Sequence, residues 1–322
     1  MKIIVLKNMI KLFKKENRKK INYIFYVPPY NQESGGTKVL YYTAFEMLKQ
    51  RANVKVWQNG RPVLSDYFKF KKWYFIIRWF LKGRYQYNKY PPYGLKYAKY
   101  KDLKFSNVIY YELVDGNPLK AKKIIRWILY FPFRLYEKVD FGENEKIYTF
   151  LYEYVKHTKW EKKSKLFHIT FPIRDEYLKY KDLNNWTKRT GTCFMLRKSK
   201  KDKKLNDLDR NFKIPEGSIS VDKLSHEQTA LIFSKSKFFY CYDLYTGYLR
   251  DAAACGCIPI VIPPKNLSID DWFKDPKERY GVAFGEKNIE WAIKTRKLML
   301  DYQSEKVQKS KYKIKEFIKE NE

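Results

Sequence analysis

The chain has 322 residues, of which 44% are hydrophobic, and 67 Lys and Arg against 35 Asp and Glu give it a formal net charge of +32. This composition excludes an intrinsically disordered chain and suits two globular domains. So large a positive charge favours polyanionic partners, namely nucleic acid, anionic lipid or phosphorylated ligands, although a solvated Lys-rich surface or a codon bias would give the same count.

Two basic segments in the first third of the chain suggest a surface function. Residues 1–20 place apolar side chains at helical spacing with lysines between them, which fits a helix in a membrane interface and a helix packed on its own domain equally well. Residues 67–90 mix aromatic and cationic side chains, a pattern that fits an anionic membrane, nucleic acid or a core helix with basic flanks. No stretch approaches the roughly 20 apolar residues of a membrane span, and no signal peptide is predicted.

A strand, a glycine loop, a helix and a second strand follow the first segment. Residues 21–27 and 53–57 read as the strands, and the helix between them runs to about Gln50. The order predicts a βαβ unit and therefore a parallel sheet. The loop at residues 34–37 reads Ser-Gly-Gly-Thr, and glycines at the start of a helix allow an anion to approach the backbone. A plain tight turn explains the loop equally well.

The remainder of the first half predicts further strands and one helix. Residues 105–114 read as a strand, and shorter strands are predicted near 147–150 and 166–170. Residues 121–130 are predicted to form a helix, because their apolar side chains recur at helical spacing.

A second unit begins near Arg189, and it again alternates strands with helices. A charged helix is predicted after it, from about residue 288 to 320. The chain is therefore predicted to be an α/β protein with two Rossmann-like domains. The predicted strands of the second unit are 190–196, 218–221, 237–242 and 258–262, and its helices are 225–234 and 247–255. The predicted divisions are residues 1–188, residues 189–287 and a C-terminal helix, 288–322.

One run in the second unit carries two spaced carboxylates. Asp243 ends a predicted strand, which is where open α/β sheets bind ligands. Thr246 and Gly247 open the next helix, with Thr246 as its N-cap, and Gly256 ends that helix. Asp251 lies eight residues after Asp243, a spacing equal to about two turns of a regular helix.

This run resembles the donor-site signature of retaining GT-B glycosyltransferases, especially glycosyltransferase family 4. That signature is an acidic residue, seven residues, a second acidic residue and a stretch of the type A-C-G-x-P-I-V. Matching Ala254-Cys255-Gly256 to it aligns Asp243 and Asp251 with the two acids, where the family usually has Glu, and the intervening loop lacks the usual G-F-G character. Residues 117–127 and 268–280 are also similar to a bacterial polysaccharide and lipopolysaccharide glycosyltransferase group. The resemblance implies a GT-B architecture, in which two Rossmann-like domains place their parallel sheets across a cleft. It also implies that the C-terminal helix, residues 288–322, crosses back to the first domain.

The resemblance also implies roles for individual residues. Asp243 would hold hydroxyls of the donor sugar and Asp251 those of the nucleotide ribose, because a carboxylate accepts hydrogen bonds from vicinal hydroxyls. Arg197 and Lys198 would neutralise the departing diphosphate, which the helix that starts at Thr246 and Gly247 would also meet. The implied donor-binding residues are Thr246, Gly247 and His226 and, in the acceptor-side glycine loop, Gly35, Gly36 and Thr37.

The implied reaction moves a sugar from a UDP- or GDP-linked donor to a lipopolysaccharide, capsule or other cell-surface glycan with retention of configuration. This layout requires no cofactor and no metal, and Asp207-Leu208-Asp209 is interpreted as a chance match to a metal motif, since no hydrophobic strand precedes it. The expected partners are the nucleotide-sugar donor, a saccharide or lipid-linked glycan acceptor and an anionic membrane surface, without specific nucleic acid. The expected location is cytoplasmic, peripheral at the inner face of the cytoplasmic membrane.

Two other functional classes remain open. A basic nucleic-acid-binding protein fits the net charge of +32, but no helix-turn-helix, zinc-finger or RNA-binding signature is present, and the spacing of the two acids stays unexplained. A non-catalytic, membrane-associated scaffold for glycan assembly would keep the fold and lose donor binding. The four cysteines lack the neighbours of a zinc site and are interpreted as buried thiols, as is usual in the cytosol.

Overall fold

The computed structural model describes residues 22–59, 90–132, 139–181, 186–196 and 214–322. The chain divides into two units, one formed by residues up to Ile169 together with Lys311–Glu322 and the other by Thr170–Ser310. Each unit contains one sheet of parallel strands, so the predicted α/β class with two parallel sheets is confirmed. Four predicted features lie outside the described residues: the segment 1–20, nearly all of the segment 67–90, the pair Arg197 and Lys198, and Asp207-Leu208-Asp209.

The first unit is built on six strands, and every neighbouring pair of them is parallel. Helix α1 (Gly35–Lys49) connects the first two strands and buries one face that includes Leu40, Ala44 and Met47. The strands are β1 (Asn22–Val27), β2 (Asn53–Gln58), β3 (Ser106–Tyr111), β4 (Lys123–Ile128), β5 (Lys146–Thr149) and β6 (Ser164–Leu166). Their spatial order is β2-β1-β3-β4-β5-β6.

The prediction of a helix over residues 121–130 is wrong, because this segment contains strand β4. The strand pairs with β3 on one side and β5 on the other. Interior strands of parallel sheets are covered on both faces and read as continuous apolar runs, which periodicity alone does not separate from a buried helix. Arg126, in the middle of β4, is fully buried and makes an ion pair with Glu145.

The second unit holds the other parallel sheet, with spatial order β11-β10-β9-β7-β8. Its strands are β7 (Thr192–Met195), β8 (Ile219–Ser220), β9 (Phe238–Cys241), β10 (Ile258–Val261) and β11 (Ala283–Phe284). Its helices are α2 (Asp175–Leu178), α3 (His226–Lys235), α4 (Tyr248–Ala254), α5 (Ile269–Trp272) and the part up to Ser310 of α6 (Ile289–Glu320).

Both sheets reverse their strand order at the first strand of the unit. In the first unit β2 lies on one side of β1 and β3 on the other, and in the second unit β8 and β9 lie in the same way on the two sides of β7. Open parallel sheets bind ligands outside the carboxyl ends of the strands at such a reversal. The two candidate places for a ligand are therefore the carboxyl ends of β1 and β3 and the carboxyl ends of β7 and β9.

Helix α4 is short because of its C-terminal sequence. Gly256 has φ +83°, a left-handed conformation that glycine adopts without a Cβ clash. The N–H of Cys257 donates to the carbonyl of Ala252, and the N–H of Gly256 donates to that of Ala253. This hydrogen-bond pair is the Schellman ending of a helix, so the prediction that Gly256 ends the helix is confirmed.

Small side chains let α4 pack closely against the unit. Ala252, Ala253 and Ala254 are fully buried, and the last two contact Met299 of α6. Gly281 adopts φ +74°, and a Cβ placed there would lie only 3.2 Å from Cβ of Met299. All four cysteines of the chain are free and buried, as predicted. None of the helices in the described ranges combines the length and the apolar character needed to cross a membrane.

Candidate functional site

The carboxyl ends of β7 and β9 meet at the strand-order reversal of the second unit. Met195 and Cys241 are the last paired residues, and the N–H of Tyr242 continues the pairing by donating to the carbonyl of Met195 over 3.2 Å. The next N–H of the β7 side, that of Leu196, donates to a carboxylate oxygen of Asp222 over 3.2 Å. The chain therefore leaves both strands at one edge, and Asp222 contacts that edge from the segment after β8.

Asp243 lies two residues beyond the end of β9 and is 6% exposed. Its Oδ1 accepts a hydrogen bond from the N–H of Tyr245 over 3.2 Å, the local turn that aspartate side chains favour. The following residue, Leu244, accepts a hydrogen bond at its carbonyl from the indole N–H of Trp272 over 2.9 Å. These bonds hold the loop, and with it the Asp243 carboxylate, at the carboxyl edge of the sheet.

Helix α4 begins immediately after this loop. Gly247 occupies the N-cap position with helical φ and ψ, and its carbonyl accepts hydrogen bonds from the N–H groups of Arg250 and Asp251. Thr246 was predicted to be the N-cap and instead lies one residue earlier, where its hydroxyl accepts from the N–H of Tyr248 over 3.4 Å. Thr246 therefore contributes a side-chain hydrogen bond to the first turn, while the first helical hydrogen bonds are accepted by the carbonyl of Gly247.

Asp251 belongs to a cluster formed by three helices. Its neighbour Tyr177, on α2, makes a 2.5 Å hydrogen bond between its hydroxyl and Nδ1 of His226, the first residue of α3. The His226 ring stacks on the ring of Tyr248 of α4, with centroids 5.4 Å apart and planes 14° from parallel. His226 is buried behind an N-terminal capping box formed by Ser225 and Gln228. The cluster thus joins the start of α3 to the helix that carries Asp251.

The charge of Asp251 acts on two buried groups of this cluster. Burial, and after it the negative charge of Asp251, raises the pKa of Tyr177 far above its usual range. The same two causes raise the pKa of Cys255 to about 12. The phenol and the thiol are therefore neutral near pH 7, and Cys255 lacks the thiolate that nucleophilic or redox chemistry needs.

The predicted glycine loop lies in the first unit and is described by itself. Ser34 is the N-cap of α1, and its hydroxyl accepts a hydrogen bond from the N–H of Thr37 over 3.4 Å. Gly35 and Gly36 are exposed, and a Cβ on either one would meet no atom within 4 Å. The start of α1 is therefore open to solvent, with room for a ligand beside the backbone.

The structure groups the predicted site residues as follows. Asp243, Thr246, Gly247 and Asp251 occupy one loop and helix, and His226 joins them through the contacts of Tyr177 and Tyr248. Gly35, Gly36 and Thr37 belong to the other unit, so their role stays a prediction. Of the other two histidines, His168 stacks on Phe150 with ring centroids 4.3 Å apart, and His157 is exposed.

Sequence patterns missed three residues at the edge of this site. Tyr177 lies 49 residues from His226 along the chain and belongs to no motif, so nothing in the sequence indicated their contact. Asp222 also belongs to no sequence motif that would have indicated its contact with the edge of the sheet. Arg250 stands directly before Asp251 inside the resembling run, and that position was the available signal. Within the described ranges, no three His, Cys, Asp or Glu side chains form a group that could hold a metal ion.

Comparison with known proteins adds little beyond these contacts. The sequence matches no protein-family model, and it has no significant match among curated protein sequences. Among solved structures, the chain is similar to the crystal structure of a glycosyltransferase from Rickettsia africae ESF-5. The two sequences are 10% identical, the match covers 94% of this chain and 97% of that chain, and the TM-score is 0.41. At this TM-score the similarity supports no inference about the reaction, which must be argued from the residues of the chain itself.

Proposed function

We propose that this protein is a glycosyltransferase that moves a sugar from a nucleotide-sugar donor to a glycan acceptor. The observation that carries the proposal is the position of Asp243 and Asp251. Asp243 lies buried at the carboxyl edge of the second sheet, beside the strand-order reversal, and Asp251 follows in the helix that leaves this edge. Open α/β sheets bind nucleotides and other ligands outside the carboxyl ends of their strands at such a reversal.

The donor site that we propose uses the two carboxylates for different parts of the donor. Asp243, held by the N–H of Tyr245, would accept hydrogen bonds from sugar hydroxyls. Asp251 would accept hydrogen bonds from the hydroxyls of the nucleotide ribose. Arg197 and Lys198 come one residue after the end of β7 in the sequence and would neutralise the departing diphosphate. Catalysis then rests on positioning the two substrates and on stabilising the leaving group.

The finer assignments belong to the same proposal. The donor would be UDP- or GDP-linked, and the transfer would retain configuration, as the resemblance of the acidic motif implies. The acceptor would be a saccharide or a lipid-linked cell-surface glycan, such as lipopolysaccharide or capsule, held on the side of the first unit where Gly35 and Gly36 leave the start of α1 open. The net charge of +32 supports work at an anionic membrane surface, at the inner face of the cytoplasmic membrane.

A thermal unfolding assay tests the donor proposal directly. The purified protein is heated with UDP, GDP and their sugar conjugates, because a ligand that binds only the folded state raises Tm, by the equivalent of about 2.7 kcal/mol at 100 times its Kd. One nucleotide class should raise Tm. The variant Asp251→Asn keeps the shape of the side chain but not its charge, and it should lose most of this increase.

The matched control is Asp301→Asn, which removes an exposed carboxylate on α6 and should keep the full increase. If no nucleotide or nucleotide sugar changes Tm, while the protein binds DNA or RNA with strong salt dependence, the nucleic-acid-binding class replaces the transferase. If donors bind and Asp251→Asn binds them as well as the wild type, the site assignment is wrong.

A further inference from the structure

Arg250 lies between the two motif acids in sequence and projects beside the start of α4. A Cβ placed on Gly247 would lie 3.4 Å from Nη2 of Arg250. The guanidinium is therefore next to Gly247, at the start of the helix. The guanidinium also lies over the ring of Phe171, 5.5 Å from the ring centroid. Arg250 as a whole residue is half-buried.

The charge of Arg250 has no bonded partner in the described part of the chain. Among those residues, the guanidinium makes no hydrogen bond and no ion pair, and its electrostatic neighbours are Asp251 and Glu278. Glu278 already accepts hydrogen bonds from the Tyr302 hydroxyl and from the ammonium group of Lys306. Burial lowers the pKa of Arg250, yet an arginine starts from so high a pKa that it stays charged near pH 7.

Other arginines removed from solvent in this protein do have bonded partners. Arg126 pairs with Glu145 and donates to two backbone carbonyls. Arg189 donates to the carbonyls of Phe233 and Cys255, and Arg296 donates to that of Gly256. A desolvated charge without a partner is costly. Arg250 therefore differs from these arginines, because no hydrogen bond or ion pair within the described part of the chain compensates its charge.

We propose that Arg250 binds a phosphate group of the nucleotide part of the donor. The proposal rests on the donor site described above, since it places the phosphate next to Asp251. A guanidinium presents a planar fork of N–H donors that matches two phosphate oxygens, and its weak hydration suits a half-buried position. The negative charge of the diphosphate would complement the guanidinium, which already lies over the ring of Phe171.

The test compares ligands with and without phosphate on wild type and on Arg250→Met, which keeps the unbranched apolar stem of the side chain and removes its charge. The probes are UDP, GDP, uridine, guanosine and inorganic pyrophosphate, and Kd is taken from calorimetry. For the nucleoside diphosphate that binds wild type, we expect Arg250→Met to raise Kd by about 10- to 100-fold. The Kd of the corresponding nucleoside should stay unchanged. Arg250→Lys should bind the diphosphate with a Kd between those of wild type and Arg250→Met.

A second measurement separates a ligand contact from a structural role. Without ligand, Arg250→Met should unfold at the same Tm as wild type or higher, because the substitution removes an unpaired desolvated charge. The control Lys297→Met removes one exposed positive charge on α6 and should leave diphosphate binding unchanged. If Arg250→Met does not fold, the comparison uses the Kd values of Arg250→Lys and wild type for the diphosphate and for pyrophosphate.

The outcomes distinguish this inference from the proposed function. If wild type binds a nucleoside diphosphate and Arg250→Met binds it equally well, the inference about Arg250 is overturned and the donor proposal stands. If wild type binds pyrophosphate through Arg250 but no nucleotide, the anion contact stands and the donor proposal fails. If wild type binds neither pyrophosphate nor any diphosphate, both are overturned.

Discussion

The hydroxyl of Tyr177 lies 2.5 Å from Nδ1 of His226, and this hydrogen bond connects α2 to the first residue of α3. Both side chains are buried, and the His226 ring stacks on Tyr248 of α4. The pKa of Tyr177 is raised, so the phenol is protonated and available as a donor near pH 7. The bond therefore fixes the orientation of the His226 ring next to the helix that carries Asp251.

The substitution Tyr177→Phe removes this hydrogen bond and keeps the ring. We expect it to lower the free energy of unfolding by about 1–3 kcal/mol, the usual cost when a buried polar group loses its partner. Urea denaturation monitored by circular dichroism measures the change. The control Tyr100→Phe alters an exposed tyrosine and should change stability by less than about 0.5 kcal/mol. Equal effects of the two substitutions would mean that the Tyr177 bond contributes nothing to stability.

The sequence predicted the two parallel sheets well, since most strands are short apolar runs bounded by turn residues. It failed at β4, where burial on both faces removes the alternation that distinguishes a strand. Arg126 contributed to this failure, because an arginine in an apolar run suggests a polar helix face. Its partner Glu145 lies 19 residues away and across the sheet, a relationship that no local pattern contains.

The candidate site was predictable only in part. The pair Asp243 and Asp251 stands in one continuous run, so spacing and resemblance were enough to single it out. Tyr177 contributes through the packing of α2 against α3 and α4, and contacts between distant segments leave no local signal. That Arg250 has no hydrogen bond or ion pair among the described residues was also invisible in the sequence, because only a structure shows which charges have bonded partners.

A glycine at the start of α1 offers a test of the acceptor-side prediction. Gly36 has open space around its Cβ position and lies in helical conformation, so Gly36→Ala should raise stability by about 0.5–1 kcal/mol through helix propensity. If a substrate approaches this backbone, the same substitution should lower the rate of sugar transfer. Urea denaturation and a transfer assay give the two readouts.

Gly217→Ala is the matched control for the stability effect of Gly36→Ala. Gly217 also has space around it, but its φ of +75° is unfavourable for alanine, so this substitution should destabilise the protein. A Gly36→Ala variant that is more stable and fully active would contradict a ligand role for the loop.

The buried ion pair of Arg126 and Glu145 should show strong coupling. Nε of Arg126 lies 2.7 Å from Glu145 Oε2, and the two side chains are 0% and 3% exposed. Glu145→Gln leaves a buried guanidinium without its counter-charge and should cost about 3–5 kcal/mol of stability. The double variant Arg126→Met with Glu145→Gln should cost less than the sum of the two single changes. Urea denaturation of the four proteins completes the cycle, and additive effects would contradict a direct interaction.

Buried tyrosines should make the protein lose stability at alkaline pH. Burial is the largest cause that raises the pKa of Tyr110, Tyr148 and Tyr240 to about 12 each. A tyrosine of the unfolded chain loses its proton near pH 10, so above this value the folded state holds more protons than the unfolded state. Stability should therefore be insensitive to these groups below about pH 9 and fall by about 1.4 kcal/mol per pH unit for each of them between about pH 10 and 12. Urea denaturation across this range measures the slope.

The variant Tyr148→Phe isolates one of these contributions. It loses the hydrogen bond that the Tyr148 hydroxyl accepts from Nδ2 of Asn321, so it should be less stable than wild type near pH 7. It also has one tyrosine fewer to ionise, and its stability should therefore fall less steeply above pH 10. Lysines titrate in the same range and affect both proteins alike, which is why the difference between the two slopes is the informative quantity. Identical slopes would mean that Tyr148 ionises equally well in the folded and the unfolded chain.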